Sequence, residues 1–274
     1  MKNSIIAAVL IMLTAVSYGQ ENNDSEQEKL ANKIAKESTY YGLIIGINHY
    51  REDAINDLNN PIINAEKLYQ TLTSSYNFKD ENIMLLKDAT RADIIKSLDQ
   101  LTREVTPDDN LLIFYAGHCF WDMEANIGYW LPSDANKDTK VNWFPDSQLL
   151  DYLKTINSKH TLLIADASFS GSIFKTRGAF PAPNTDLSAL YELSSRKAIT
   201  SGSLAEVPDN GIFSGYLVQT LKKNEETCLS SEQLFSRFRM DVINNSDAIP
   251  QYGEIGDTGD TGDQRGDFIF LKSK

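Results

Sequence analysis

The sequence predicts an α/β fold in which a mostly parallel sheet of about six strands is covered by helices on both faces. Short, nearly continuous apolar segments recur along the chain, as expected for strands that are buried on both faces of a parallel sheet. They alternate with longer segments whose apolar residues have helical spacing. This alternation is typical of repeated strand–helix–strand units.

The first half of the chain shows the alternation most clearly. Asn60 followed by Pro61 is typical of an N-cap and a first helical residue, and Thr90 with Asp93 forms a capping pair. These signals place the starts of two helices between predicted strands. In chain order, we predict a strand at 41–47, a helix from 61, a strand at 83–86, a helix from 90, a strand at 111–115, a helix at 147–156 and a strand at 161–165.

The second half is less regular but continues the same pattern. Ser230 with Gln233 forms another capping pair, which predicts a helix that reaches about residue 245. Before it we predict a strand at 197–200 and a helix at 213–221. A final strand at 267–271 is expected to close the sheet.

The first 39 residues are expected to lie outside the folded domain, which we place at 40–272. Residues 1–19 resemble a signal peptide, with Lys2, an apolar run and small residues at the cleavage point. We therefore expect a secreted or periplasmic protein with no integral membrane segment after cleavage; a retained anchor is the alternative. Residues 20–39 are interpreted as a polar linker or a marginal helix, because only Leu30 and Ile34 are apolar at helical spacing.

Composition narrows the choice of partners and cofactors. The net charge of −12 argues against nucleic acid and anionic lipid, since both require a basic surface. The two cysteines and three histidines have no zinc-ligand spacing, so we expect no metal or other cofactor. The glycine–aspartate tract 256–263 is interpreted as a flexible loop; a calcium site is the alternative, although its spacing matches no EF-hand or β-roll pattern.

Two predicted strands end in residues with reactive side chains. His118 follows the strand at 111–115, and Ser168 follows the strand at 161–165. In open parallel sheets, ligands bind beyond the carboxyl ends of the strands. We therefore expect the imidazole of His118 and the hydroxyl of Ser168 to face one cleft.

The segments around these two residues resemble the caspase–metacaspase superfamily, especially its bacterial members. Residues 115–118 resemble the Tyr-Ala-Gly-His run that carries the catalytic histidine of that family, and residues 166–171 resemble the run that carries its catalytic cysteine. The likeness covers about residues 40–271. Further matches are Gly-Ile-Asn-His-Tyr at 46–50, Leu-Leu-Lys-Asp-Ala-Thr at 85–90, Leu-Pro-Ser-Asp-Ala at 131–135, Thr-Ser-Gly at 200–202 and Gly-Asp-Phe at 266–268.

The resemblance implies a three-layer sandwich and cysteine-peptidase chemistry on a peptide or protein substrate. In the family, a thiolate attacks the peptide carbonyl and the histidine protonates the leaving amine. His118 and Ser168 hold these catalytic positions here, and Gly117 and Ser168 hold those of the oxyanion site. Metacaspases prefer a basic residue before the cleaved bond, because acidic residues line their pocket. The positions that the resemblance implies for the substrate pocket are Asp166, Asn64 and Ser201.

Three residues depart from the family pattern. Ser168 replaces the cysteine, and a hydroxyl supplies essentially no alkoxide without a base. Asn64 replaces an acid of the pocket, which weakens a preference for basic side chains. Cys119 replaces the glycine after the histidine, where added bulk is expected to obstruct the oxyanion site. A nucleophile displaced to Cys119 is an alternative, although a side chain directly behind its own base cannot easily face it.

These departures leave two functions open. The first is a pseudoprotease, in which hydrolysis is lost or weak and the cleft binds a peptide or a protein. The second is an active secreted endopeptidase, either with Ser168 as the nucleophile or with a serine introduced in place of a natural cysteine.

Overall fold

The computed structural model describes residues 25–167, 173–177, 186–202, 211–256 and 263–273. The predicted signal peptide, Ser168 and nearly all of the glycine–aspartate tract lie outside the described residues. The catalytic histidine position and the three predicted pocket positions lie within them.

Strands and helices alternate along the described residues. The strands are β1 (Tyr40–Gly46), β2 (Ile83–Lys87), β3 (Asn110–Ala116), β4 (Cys119–Asp122), β5 (Ile127–Trp130), β6 (Phe144–Pro145), β7 (His160–Asp166), β8 (Phe174–Arg177), β9 (Ser195–Thr200), β10 (Cys228–Ser230), β11 (Gln251–Ile255) and β12 (Ile269–Leu271). The helices are α1 (25–37), α2 (Pro61–Ser75), α3 (Arg91–Glu104), α4 (Asp146–Thr155), α5 (Leu187–Glu192), α6 (Ile212–Lys223) and α7 (Ser231–Asn245).

The main sheet has the strand order β2-β1-β3-β7-β9-β11-β8. The first five strands in this order are parallel to one another. Strand β11 runs antiparallel to both of its neighbours, β9 and β8. The predicted mostly parallel sheet is therefore confirmed, with a short edge strand added.

Helices cover both faces of this sheet. Successive side chains of β1 point to opposite faces, so Ile44 belongs to one buried cluster and Leu43 and Ile45 belong to the other. Residues of α1, α2, α6 and α7 lie in the cluster of Ile44, and residues of α3 and α4 lie in the second cluster. This arrangement is the expected three-layer sandwich.

The predicted capping pairs have different outcomes. Thr90 with Asp93 and Ser230 with Gln233 both form capping boxes. Asn60 and Pro61 take the predicted N-cap and first helical positions of α2, but the side chain of Asn60 makes no capping hydrogen bond. The side chain of Asn48, from the loop after β1, accepts the N–H of Ile62 instead, at 2.9 Å. A tertiary acceptor therefore takes the place of the local cap.

The last predicted strand does not close the main sheet. Strand β12 pairs antiparallel with β10, with Cys228 opposite Leu271. Beyond β9 the main sheet continues with β11 and ends at the edge strand β8, and neither strand was predicted. All three residues of β12 are buried, so its apolar pattern identified a strand but carried no information about the partner.

Helix α1 lies inside the segment that was interpreted as a polar linker or a marginal helix. Leu30, Ala31 and Ile34 are buried, and Lys33 pairs with Glu192 of α5. Because its apolar face is sealed against the core, α1 packs as part of the domain. Among the described residues, no helix is both long enough and apolar enough to span a bilayer.

Candidate active site

Strands β3 and β7 leave the sheet side by side at their carboxyl ends. Ala116, the last residue of β3, pairs in parallel register with Asp166, the last residue of β7. In sequence, His118 comes two positions after the first of these residues and Ser168 two positions after the second. The described residues therefore include the histidine half of the candidate site, whereas Ser168 lies outside them.

A backbone carbonyl orients the ring of His118. The Nε2 atom lies 2.9 Å from the carbonyl oxygen of Asn56. A carbonyl oxygen can only accept a hydrogen bond, so Nε2 must carry a proton. In the neutral imidazole, Nδ1 is then the unprotonated nitrogen. Nδ1 is therefore the atom of His118 that can accept a proton from a nucleophile.

Two buried tyrosines hold the backbone of His118. Its N–H donates to the Oη atom of Tyr50 at 2.8 Å, and its carbonyl accepts from the Oη atom of Tyr115 at 2.7 Å. Burial raises the pKa of both tyrosines well above the usual value, so both hydroxyls stay protonated. Gly117 fits between them because a Cβ atom there would lie 2.9 Å from the Tyr115 hydroxyl and 3.2 Å from the Tyr50 hydroxyl.

The loop of residues 48–58, which we call the histidine-facing loop, is anchored at both ends. The carboxylate of Asp88 accepts the N–H groups of Asn48 and His49, at 2.7 and 2.9 Å, and pairs with Nδ1 of His49. Burial raises the pKa of Asp88, but hydrogen bonds from His49 and Asn48 outweigh it and lower the pKa. The N–H of Leu58 donates to the carbonyl of Asn48 at 2.8 Å, which closes the loop.

Asp166 contacts the first turn of helix α6. Its carboxylate accepts a hydrogen bond from the hydroxyl of Ser214, the third residue of that helix. The helix begins after Gly211, which provides no side-chain cap. Free N–H groups at a helix start favour a negative charge, so a carboxylate is stabilised at this place. The pocket acid expected from the sequence is thus already engaged by the protein.

Asn64 lies beside the same end of α6. It is buried on α2, and a Cβ atom built at Gly211 would meet its Nδ2 atom at 3.1 Å. Gly211 has a φ angle of +64°, which favours glycine. The structure therefore brings two predicted pocket residues, Asn64 and Asp166, to the first turn of one helix.

Ser201 supports the backbone that leads to the nucleophile position. Its hydroxyl oxygen accepts the N–H of Ala167 at 3.1 Å, and its own N–H donates to the carbonyl of Ala165 at 2.9 Å. The residue is fully buried. These bonds fix the chain immediately before Ser168, whereas contact of Ser201 with substrate stays a prediction.

Cys119 lines a narrow cavity beneath the β4–β5 hairpin, together with Trp130 and Leu163. Burial raises the pKa of its thiol well above the usual value, and the nearby Asp146 acts in the same direction. The thiolate is the nucleophilic form of cysteine, and this environment disfavours it. The structure therefore gives no support to a nucleophile displaced to Cys119.

Several residues that shape this site were not predicted from the sequence. Asn56 acts through its backbone carbonyl, which no side-chain pattern reveals. Tyr50 and Tyr115 lie in segments that resemble the family, but the motifs gave no role to their hydroxyls. Ser214 could have been noticed as a hydroxyl in the first turn of a helix, where such side chains form local hydrogen bonds.

A family model described as the caspase domain of peptidases matches residues 40–255. The chain belongs to the caspase family. This caspase-family chain is 32% identical over 84 residues to Metacaspase-1 of Saccharomyces cerevisiae, in a match that covers 28% of the chain and 19% of the yeast protein. It is 28% identical over 111 residues to Metacaspase-1A of Aspergillus oryzae, covering 38% of the chain and 25% of that protein. The matches thus span a quarter or less of these relatives.

Solved structures share the fold of this caspase-family chain. A protein from Geobacter sulfurreducens matches with a TM-score of 0.56 and 16% identity, over 83% of this chain and 97% of that chain. The Drosophila initiator caspase Dronc matches with a TM-score of 0.55 and 12% identity, over 79% of this chain and 80% of that chain. Both likenesses concern the fold alone.

Proposed function

We propose that this caspase-family protein binds peptides or proteins in its cleft and has lost most or all of the peptide-bond hydrolysis of its family. One observation carries the proposal. His118 is oriented by the neutral carbonyl of Asn56, whereas serine nucleophiles depend on a histidine that a carboxylate orients and stabilises as imidazolium. A thiol needs less help, because it is more acidic and more nucleophilic than a hydroxyl. The environment of His118 is therefore suited to assist a cysteine nucleophile, whereas this chain has Ser168 at that position.

The hairpin after His118 supports an oxyanion donor. The N–H of Leu131 donates to the carbonyl of His118, and the next register pair is Cys119 with Trp130. Hydrogen-bonded and non-bonded pairs alternate in an antiparallel ladder, so the N–H of Cys119 points away from β5. We assign this N–H, rather than that of Gly117, as the donor on the histidine side, together with the N–H of Ser168.

The environment of Asp166 supports a modest preference for basic side chains. Its carboxylate is present at the carboxyl end of β7, but Ser214 already donates to it and the neighbouring Asn64 is neutral. A partly solvated ion pair contributes about 1 kcal/mol or less. Within the proposed function, an arginine or lysine ligand is therefore favoured over a leucine ligand by no more than about tenfold.

The N-terminal pattern supports export. Lys2, the apolar run and the small residues up to Gly19 match what signal peptidase cleaves. We propose that the mature protein begins near Gln20 and acts outside the cytoplasm, on peptide or protein ligands and not on nucleic acid.

The nucleophile test is the variant Ser168→Cys, assayed on fluorogenic peptides with arginine, lysine or leucine before the cleaved bond. We expect amidase activity at least ~100-fold above that of the wild-type protein, the usual scale for a catalytic element. His118→Ala should abolish this activity. Asp166→Ala should reduce the advantage of the basic peptides.

Cys119 provides the control for thiol chemistry. The double variant Ser168→Cys, Cys119→Gly should be inactivated by a thiol alkylating reagent. The remaining Cys228 is buried, so this result assigns the reactive sulfur to position 168. Wild-type turnover at the rate of the cysteine variant, abolished by Ser168→Ala, would contradict the proposal and identify a serine peptidase instead. An inactive double variant would leave peptide binding as the function and exclude hydrolysis by a restored dyad.

A further inference from the structure

The histidine-facing loop contacts His118 at two separate points. Near its start, the hydroxyl of Tyr50 accepts the backbone N–H of the histidine. Near its end, the carbonyl of Asn56 accepts the ring Nε2–H. The direction of the ring therefore depends on how these two points of one loop are held relative to each other.

The side chain of Asp57 joins the two points. Its Oδ1 atom accepts the backbone N–H of Tyr50 at 3.0 Å, and its own backbone directly follows Asn56. This hydrogen bond closes a ring of chain from Tyr50 to Asp57, and both contacts to His118 lie in that ring. Inside it, the N–H of Ile55 donates to the carbonyl of Glu52 at 2.9 Å, which forms a turn just before Asn56.

We propose that Asp57 is a positioning residue for His118: it holds the Asn56 carbonyl against Nε2 and so keeps Nδ1 as the unprotonated nitrogen turned away from the loop. The inference rests on the proposed function only in taking His118 as the proton-transfer group of the site. The hydrogen bonds by which Asp57, Tyr50 and Asn56 hold His118 involve described residues only, and they do not depend on which atom occupies the nucleophile position.

The chain offers variants that separate hydrogen bonding from charge. Asp57 and Asp53 are both exposed acids of the same loop. Asp57→Ala removes a charge and an acceptor, Asp57→Asn removes the charge but keeps an acceptor oxygen at the same place, and Asp53→Ala removes a charge alone. A purely electrostatic influence on His118 would make Asp57→Ala and Asp57→Asn alike, whereas a role through the hydrogen bond singles out Asp57→Ala.

The first measurement uses the otherwise wild-type protein, with its serine in place. In protein labelled with ¹⁵N-histidine, NMR follows the Nε2 proton of His118, which is identified by its absence in His118→Gln. We expect this proton to exchange with solvent about fivefold faster in Asp57→Ala, as loss of one hydrogen bond implies. In Asp57→Asn and Asp53→Ala, exchange should stay within about twofold of wild type.

The second measurement repeats the three changes in the Ser168→Cys protein. We expect Asp57→Ala to lower kcat about tenfold with little change in KM, since misdirection of the ring affects the chemical step more than binding. Asp57→Asn should restore kcat. The proposal is overturned if Asp57→Asn exchanges as fast as Asp57→Ala, or if Asp57→Ala exchanges as slowly as Asp53→Ala. An inactive Ser168→Cys protein would count against the proposed function, while the NMR comparison would still decide the role of Asp57.

Discussion

Glu232, at the start of helix α7, is an acid whose pKa is raised in the folded protein. The residue is 8% exposed, and its Oε1 atom has no hydrogen-bond partner among the described residues. Burial raises the pKa of Glu232 to about 7; the carboxylate of Asp267 acts in the same direction, and Lys197 opposes both. We therefore expect Glu232→Gln, which keeps the shape and removes the charge, to stabilise the protein at alkaline pH.

The magnitude follows from proton linkage. An unfolded chain releases this proton near pH 4.5, whereas the native protein keeps it until about pH 7. Between these values the native state binds more protons, so the free energy of unfolding falls as pH rises. One pKa unit corresponds to about 1.4 kcal/mol, so the difference between 4.5 and about 7 sets an upper bound of ~3.5 kcal/mol. Because the group is not fully sealed from solvent, we expect a gain of ~1–3 kcal/mol at pH 8 and a clearly smaller gain at pH 5.

Urea unfolding followed by circular dichroism, at pH 5 and at pH 8, measures this difference. The matched control is Glu225→Gln, which removes an exposed glutamate in the segment before α7 and should change stability by less than ~0.5 kcal/mol. If Glu232→Gln stabilises the protein equally at both pH values, or destabilises it at pH 8, the assignment of a raised pKa to this carboxyl is incorrect.

Two further predictions concern pairs at the candidate site. A hydrogen bond to Asp88 and its negative charge raise the pKa of the exposed His49. The NMR titration midpoint of His49 should therefore lie above that of free histidine and should fall in Asp88→Asn. An unchanged midpoint in that variant would show that the two side chains do not pair. With this sign, the pair stabilises the protein fully only between the ordinary pKa of aspartate and the ordinary pKa of histidine. Its effect is lost as pH rises through the raised pKa of His49 and as pH falls through the lowered pKa of Asp88. Ser214→Ala removes a hydrogen-bond donor from Asp166 and leaves its carboxylate more available to a basic substrate. In the Ser168→Cys protein, the ratio of kcat/KM for arginine peptides to kcat/KM for leucine peptides should therefore rise about twofold to fivefold. A constant or lower ratio would show that Ser214 does not compete with substrate.

The parts of the fold that sequence predicted are those with strong local signals. Strand β1 is a nearly continuous apolar run, and α3 and α7 begin at capping boxes, so each pattern contains the information needed to assign it. Only two of the five residues of β11 are buried, and one of these is a glycine. The strand therefore has no apolar run that sequence could reveal. The partner of β12 likewise depends on the assembled core and not on its own three residues.

The candidate site likewise has one part that sequence predicted and one that it did not. His118 could be located from sequence because it follows a strand end within a motif that resembles the family. The atom that orients its ring could not be predicted, because every residue has a backbone carbonyl. Only the folded structure shows that the carbonyl of Asn56 is the one that meets the ring. The start of α2 was predicted correctly at Asn60 and Pro61, but the side chain that accepts an N–H of its first turn was not, because Asn48 reaches Ile62 from another part of the chain.

Helix α1 and strand β12 close the same side of the core from opposite ends of the chain. The thiol of Cys228 contacts the carbonyl of Gln27 across 201 positions, and the hydroxyl of Tyr40 donates to the carbonyl of Ile269 across 229. Contacts of such large sequence separation form slowly, because a long loop must close before they stabilise anything. Among the described residues, α1 and β1 therefore complete their contacts on this face only after β10 and β12 have joined the core.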